Sequence, residues 1–168
     1  MSRKLGIEEA LDVAMEAELK SQAFYAQAAV DVQDAGGRDL LARLAAFEQY
    51  HYQKLTELAH SLREGGRYIV YESRTLEQFA PLDLRGEATA VLLEQLQDVP
   101  GILSTAIDRE KVAGEQYRLL AEETADADGR GMFRKLADEE MTHQRILEDE
   151  FFSLSNRGVW GWSGMYGE

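Results

Sequence analysis

At 168 residues the chain is long enough for one domain with a real core and too short for two ordinary ones. Its formal charge of −13, from 31 acidic against 18 basic residues, repels a phosphate backbone, so no nucleic-acid partner is expected. There is no cysteine, which excludes disulfides and thiolate metal sites and leaves oxygen and nitrogen as the donors for any metal.

Two prolines, few β-branched residues and abundant Ala, Leu, Glu, Gln and Arg favour helix over strand. Over residues 1–19 the apolar positions are interrupted by Glu8, Glu9, Asp12, Glu16 and Glu18, so no signal-peptide core is present. No later stretch approaches a membrane span. The expectation is a cytoplasmic protein with no membrane partner.

A first helix is predicted over 7–35, with Leu11, Ala14, Glu18, Ser21, Tyr25, Ala28 and Val32 on one apolar seam. Gly36-Gly37 is expected to end it, and Asp39 to help cap a second helix over 38–64. That helix has the seam Leu41, Leu44, Glu48, His51, Leu55, Leu58, Leu62, and Gly65-Gly66 should stop it.

The 34 residues 65–98 are a long connection, expected to cross the length of the bundle and set the third helix parallel to the first. Within them Tyr68-Ile69-Val70-Tyr71 reads as extended. Residues 87–97 read as a short helix with Val91, Leu92 and Leu96 turned inward.

The third helix, 99–127, takes Pro100 in its first turn and repeats the first seam as Leu103, Ala106, Glu110, Ala113, Tyr117, Leu120, Thr124. Asp126-Ala127-Asp128-Gly129 should separate it from a fourth helix, 130–155, with the seam Phe133, Leu136, Glu140, His143, Leu147, Glu150, Leu154. Only Glu150 is out of character there. The tail, 156–168, together with Phe151 and Phe152, brings Trp160, Trp162 and Tyr166, which should pack on the bundle or on a second subunit; a homodimer is the expected assembly. The fold class is therefore all-α: a single four-helix-bundle domain of two antiparallel pairs, 7–64 and 99–155, joined by a long crossover.

The two pairs are copies. Glu18, Glu48 and His51 recur as Glu110, Glu140 and His143, each 92 positions later, as do Tyr25 as Tyr117, Gly37 as Gly129, Arg38 as Arg130, Leu44 as Leu136, Ala45 as Ala137 and Leu55 as Leu147. A buried glutamate without a partner is costly, and four in one core would repel one another. No Lys or Arg occupies a neighbouring seam position, whereas two divalent cations would balance four carboxylates and two neutral imidazoles. A three-residue step keeps Glu48 beside His51, and Glu140 beside His143, on one helix side. With Glu18 and Glu110 the six make the two-Glu plus two Glu-x-x-His pattern of dinuclear carboxylate bundles. Such donors suit iron or manganese and also accept zinc.

One Glu-x-x-His alone is usually a solvated pair; two copies on seams, each with a seam glutamate at the same distance, point to metal. Tyr25 and Tyr117, seven residues after their glutamates, read either as core aromatics or as partners that orient the ligands. His60 lies off the seam and reads as a surface residue, and Glu8-Glu9 and Glu122-Glu123 read as solvated faces.

Glu18 with Tyr25, Phe47-Glu48-Gln49-Tyr50-His51, Glu110 with Tyr117, and Glu139-Glu140-Met141-Thr142-His143 together resemble the rubrerythrin branch of the ferritin-like superfamily. The resemblance covers roughly 7–64 and 99–155 and leaves the crossover and tail unmatched. It implies a ferritin-like bundle with a non-haem centre of two iron ions that reacts with hydrogen peroxide or dioxygen, as a peroxidase or as an oxidase of ferrous iron. Rubrerythrins usually carry another glutamate where this chain has Ala113, and a cysteine-held iron centre that this chain lacks. A peroxidase built this way would take electrons from a separate donor protein. The competing reading is an iron- or zinc-binding protein without turnover, and a third is a subunit whose tail serves dimerisation.

Overall fold

The protein's structure, a computed structural model, describes residues 6–84 and 98–162. Four helices carry the fold: α1, Ile7–Asp31; α2, Ala35–Gly65; α3, Val99–Glu123; and α4, Ala127–Arg157. Every helix end repeats at the 92-residue interval, α1 to α3 and α2 to α4. The architecture is an all-α four-helix bundle of two hairpins. Among the described residues there is no strand, and no helix is long and apolar enough to cross a membrane.

The helix boundaries show why the ends repeat. Asp34 caps α2 by accepting from Gly37 N at 2.8 Å, and Asp126 caps α4 by accepting from Gly129 N at 2.9 Å. The α2 and α4 C-termini close on Gly66 and Gly158, whose φ values of 67° and 70° are left-handed and favour glycine. Asp98 caps α3 through Gly101 N at 2.8 Å, with Pro100 inside the first turn as expected.

Two expected boundaries are corrected. Gly36 and Gly37 do not end α1, and Asp126–Gly129 is not a plain separator, because in both places an aspartate turns the following glycine-containing residues into the first turn of the next helix. The duplicated glycines serve a different need, which is close approach. A Cβ at Gly37 would stand 2.6 Å from Trp160 Cε2, and one at Gly129 would stand 2.6 Å from Tyr68 Cδ1. Asp39 does not cap α2 either; it accepts from Trp162 Nε1 and from Arg43 Nε, both at 2.8 Å.

The seams face inward. Leu11, Leu41, Leu44, Leu55, Leu58, Leu103, Phe133, Leu136 and Leu147 are essentially fully buried, and truncating any such leucine to alanine costs about 2–5 kcal/mol. Glu150 fits its buried seam position because its Oε2 accepts from Gly161 N at 2.7 Å, which ties the tail to the bundle. Trp160 and Trp162 pack on the bundle, while Phe151 and Phe152 are exposed. Tyr166 lies outside the described residues, as does the short helix expected over 87–97.

From α2 the crossover climbs back along the bundle. Tyr50 Oη donates to Glu72 O at 2.9 Å, Arg43 Nη1 to Phe79 O at 2.8 Å, and Leu82 N to Ala42 O at 3.1 Å. Residues 67–75, the expected extended stretch included, form neither helix nor ladder, and one 3-10 turn follows at Leu76–Gln78. The chain thereby reaches the far end of the bundle before α3 begins. Helix α3 consequently runs antiparallel to α1, not parallel: Tyr25 of α1 meets Glu110 of α3 while Glu18 meets Tyr117. A crossover that traverses the full length reverses the second hairpin, and the two copies face each other across a pseudo-twofold relation.

Candidate metal centre

Glu18, Glu48, His51, Glu110, Glu140 and His143 converge inside the bundle, none exposing more than 3 % of its surface. They form two overlapping groups. Glu18, Glu48, His51 and Glu140 can each offer one donor atom within 4.8 Å of the others, and so can Glu48, Glu110, Glu140 and His143. Glu48 and Glu140 belong to both groups, whereas each remaining glutamate and histidine belongs to one.

This donor set fits a pair of cations on the protein's own geometry. Among the described residues seven buried side-chain polar atoms lack a hydrogen-bond partner, and six are on these residues: Glu48 Oε2, His51 Nδ1, Glu110 Oε2, both Glu140 oxygens and His143 Nδ1. The seventh is Arg109 Nε. Buried polar atoms are normally satisfied, so orphaned oxygens and nitrogens converging on one spot are what a metal site leaves when its ligands are considered alone. His51 Nδ1 lies 2.9 Å from Glu140 Oε1 and 3.4 Å from Glu18 Oε1 and Glu48 Oε2; His143 Nδ1 lies 3.8 and 3.9 Å from Glu110 Oε2 and Glu140 Oε2. Among the described residues these histidines are the only ion-pair partners of the four glutamates.

Without cations the site retains protons. Burial, then the charges of Glu140, Glu18 and Glu110, hold Glu48 well above the ordinary carboxylate range. Burial and the Glu110 charge raise Glu140 to about 8. Burial opposes a charged His143 ring, but close contact with Glu110 and Glu140 prevails and raises it to about 9; the Glu18 and Glu140 charges likewise lift His51 despite its burial. Glu110 goes the other way, to about 2, because contacts with Glu140 and His143 outweigh its burial, and Glu18 is lowered against burial by the His51 charge.

The two tyrosines reach across the bundle instead of serving their own helices. Tyr25 Oη donates to Glu110 Oε1 at 2.6 Å, and Tyr117 Oη donates to Glu18 Oε1. Each phenol is buried and orients the glutamate of the opposite copy. His60 is exposed, and so are Glu8, Glu9, Glu122 and Glu123.

Glu139 is the functional neighbour that periodicity missed. Its Oε2 lies 2.8 Å from His51 Nε2 and accepts from Tyr71 Oη at 2.6 Å; its Oε1 accepts from Ser73 Oγ at 2.8 Å and Arg74 N at 2.9 Å. Burial would raise the Glu139 carboxyl, but His51 and these donors hold it below its usual value. A signal was present, since the copies differ at this place, Phe47 in one and Glu139 in the other.

The carboxylate side of the cluster opens into a groove of about 1020 Å³ between α1 and α3, where Glu18, Glu48, Glu110 and Glu140 meet Ala14, Ala17, Ala113 and Tyr117. Both histidine rings pack on Phe47, and His51 also meets Tyr71 of the crossover.

No family model matches the chain, and no curated protein matches it. Among solved structures, a hypothetical protein from Pyrococcus furiosus is similar to it, 26% identical over 93% of this chain and 94% of that chain, with a TM-score of 0.70. The similarity spans nearly the full length of both chains and carries no stated activity.

Proposed function

We propose that this chain is a non-haem di-iron carboxylate protein, an oxidoreductase that reacts with hydrogen peroxide or dioxygen. The observation that carries the reading is the pair of overlapping four-residue groups sharing Glu48 and Glu140, with six orphaned donor atoms aimed inward. Glu18 and His51 would hold one ion, Glu110 and His143 the other, and the two shared glutamates would serve both. When bound, an iron pair supplies two one-electron donors side by side, the number that cleavage of an O–O bond takes.

The protein's own part is placement, dryness and proton supply. Tyr25 and Tyr117 fix two of the carboxylates from outside and are the nearest buried O–H groups. Phe47, Tyr71 and the crossover close the histidine side against water, and the groove leaves the carboxylate side open to a small oxidant. Ala113, small and on the groove wall, leaves room there that a longer side chain would take. With no cysteine in the chain, electrons for repeated peroxide turnover would come from a separate donor protein. Zinc or manganese fits the same donors.

The test is metal analysis of protein purified without oxygen from iron-replete cells, followed by mixing with peroxide. Two irons per chain and oxidation far faster than that of free ferrous ion are expected. Metal uptake without accelerated oxidation would replace this reading with that of a non-catalytic iron- or zinc-handling protein.

A further inference from the structure

We propose that the two halves of the centre are unequal by construction: the Glu18–His51 side takes a divalent ion first and more tightly, because Glu139 positions His51 and, among the described residues, no carboxylate positions His143 in the same way. The inference rests on the dinuclear reading above.

The duplicated parts of the site act as an internal control. Tyr25 serves Glu110 and Tyr117 serves Glu18, so the glutamates are treated alike by their neighbours. The histidines are not. Three donors, from Tyr71, Ser73 and Arg74, already point at the Glu139 oxygens, so the carboxylate is an acceptor throughout and His51 Nε2 must be the nitrogen that carries hydrogen. In the neutral ring that binds metal, His51 Nδ1 then keeps its lone pair toward the cluster, with tautomer and tilt fixed and basicity raised by the anion behind it.

Ninety-two positions before Glu139 stands Phe47. Its ring meets His143 edge to face at 4.4 Å, a hydrocarbon contact that accepts no ordinary hydrogen bond and selects no tautomer. His143 Nδ1 also stands farther from its carboxylates, 3.8 and 3.9 Å against 2.9 and 3.4 Å for His51. The inequality originates in the crossover, which supplies Tyr71, Ser73 and Arg74 once, while the helices are supplied twice.

The experiment is titration of the chelator-treated full chain with cobalt(II), followed by its visible absorption and by calorimetry. Two steps are expected, the first at least about tenfold tighter. Glu139→Gln should weaken the first step about 10- to 100-fold, the usual effect of losing such a support, and leave the second step in place. His143→Ala should remove the second step alone. Anomalous scattering from wild-type crystals given less than one equivalent of cobalt needs no variant, and should show the ion beside His51. Equal steps, an ion beside His143, or a Glu139→Gln protein that weakens both steps alike would overturn the inequality and leave a dinuclear centre standing. No uptake of metal at all would overturn both.

Discussion

Tyr25 on α1 donates its phenolic hydrogen to Glu110 on α3 at 2.6 Å across 85 residues of sequence. Tyr117 and Glu18 make the reciprocal contact, so the two hairpins clasp each other through the carboxylates of the buried cluster. Hydrogen bonds to charged groups contribute about 1.5–3 kcal/mol, and each phenol here is buried against a carboxylate. Tyr25→Phe or Tyr117→Phe should therefore lower the stability of chelator-treated protein by about that amount, measured by urea unfolding. An unchanged midpoint would mean that the phenols only fill space.

Sharing of Glu48 and Glu140 between both four-residue groups predicts a hierarchy of losses. Alanine at either shared position should abolish binding of both ions, while alanine at Glu18 or Glu110 should spare one. Stoichiometry by calorimetry decides it; one ion retained by Glu140→Ala would argue against a shared role.

The raised Glu140 and His143 make metal and protons competitors for the same atoms. Glu140 is raised from 4.5 to about 8 and His143 from 6.5 to about 9, so the folded protein binds more protons than the unfolded chain across that range. Their contribution to stability is complete below the unfolded values and is lost as pH rises through about 8 and 9. Chelator-treated protein should melt at lower temperature as pH climbs from about 5 to 9. Metal-loaded protein should resist this fall, and loading at neutral pH should release protons, detectable as a buffer-dependent heat. A flat melting profile without metal would contradict these shifts.

At Gly129 an added methyl group would overlap the Tyr68 ring, and at Gly37 it would overlap Trp160. Overpacking of this kind costs about 1–3 kcal/mol, which exceeds the gain in helix propensity. Gly129→Ala should show this cost in urea unfolding while still binding two ions, since the glycine lies at the start of α4, ten residues or more before the ligands.

Periodicity and repetition made most of this protein legible. A glutamate on an apolar seam contradicts its surroundings, and when the contradiction recurs at a constant interval with a histidine three residues on, only a compensating charge explains it. That reasoning named all six residues that the structure brings together. Helix ends were less legible: Gly36-Gly37 reads as a stop, but the carboxylate of Asp34 converts the same residues into a start, because a side-chain acceptor for an orphan N–H outweighs local glycine content.

The sequence by itself determined the helices, their apolar faces and the six residues of the buried cluster, because these depend on spacings of three, four and ninety-two that a linear chain displays openly. The tertiary structure alone decided that the second hairpin is reversed, that each tyrosine serves the opposite copy, and that Glu139, through the crossover, stands behind His51 and not His143. These relations join residues from 65 to 99 positions apart without any shared period. They exist only once a long connection has traversed the bundle and brought unrelated segments into contact.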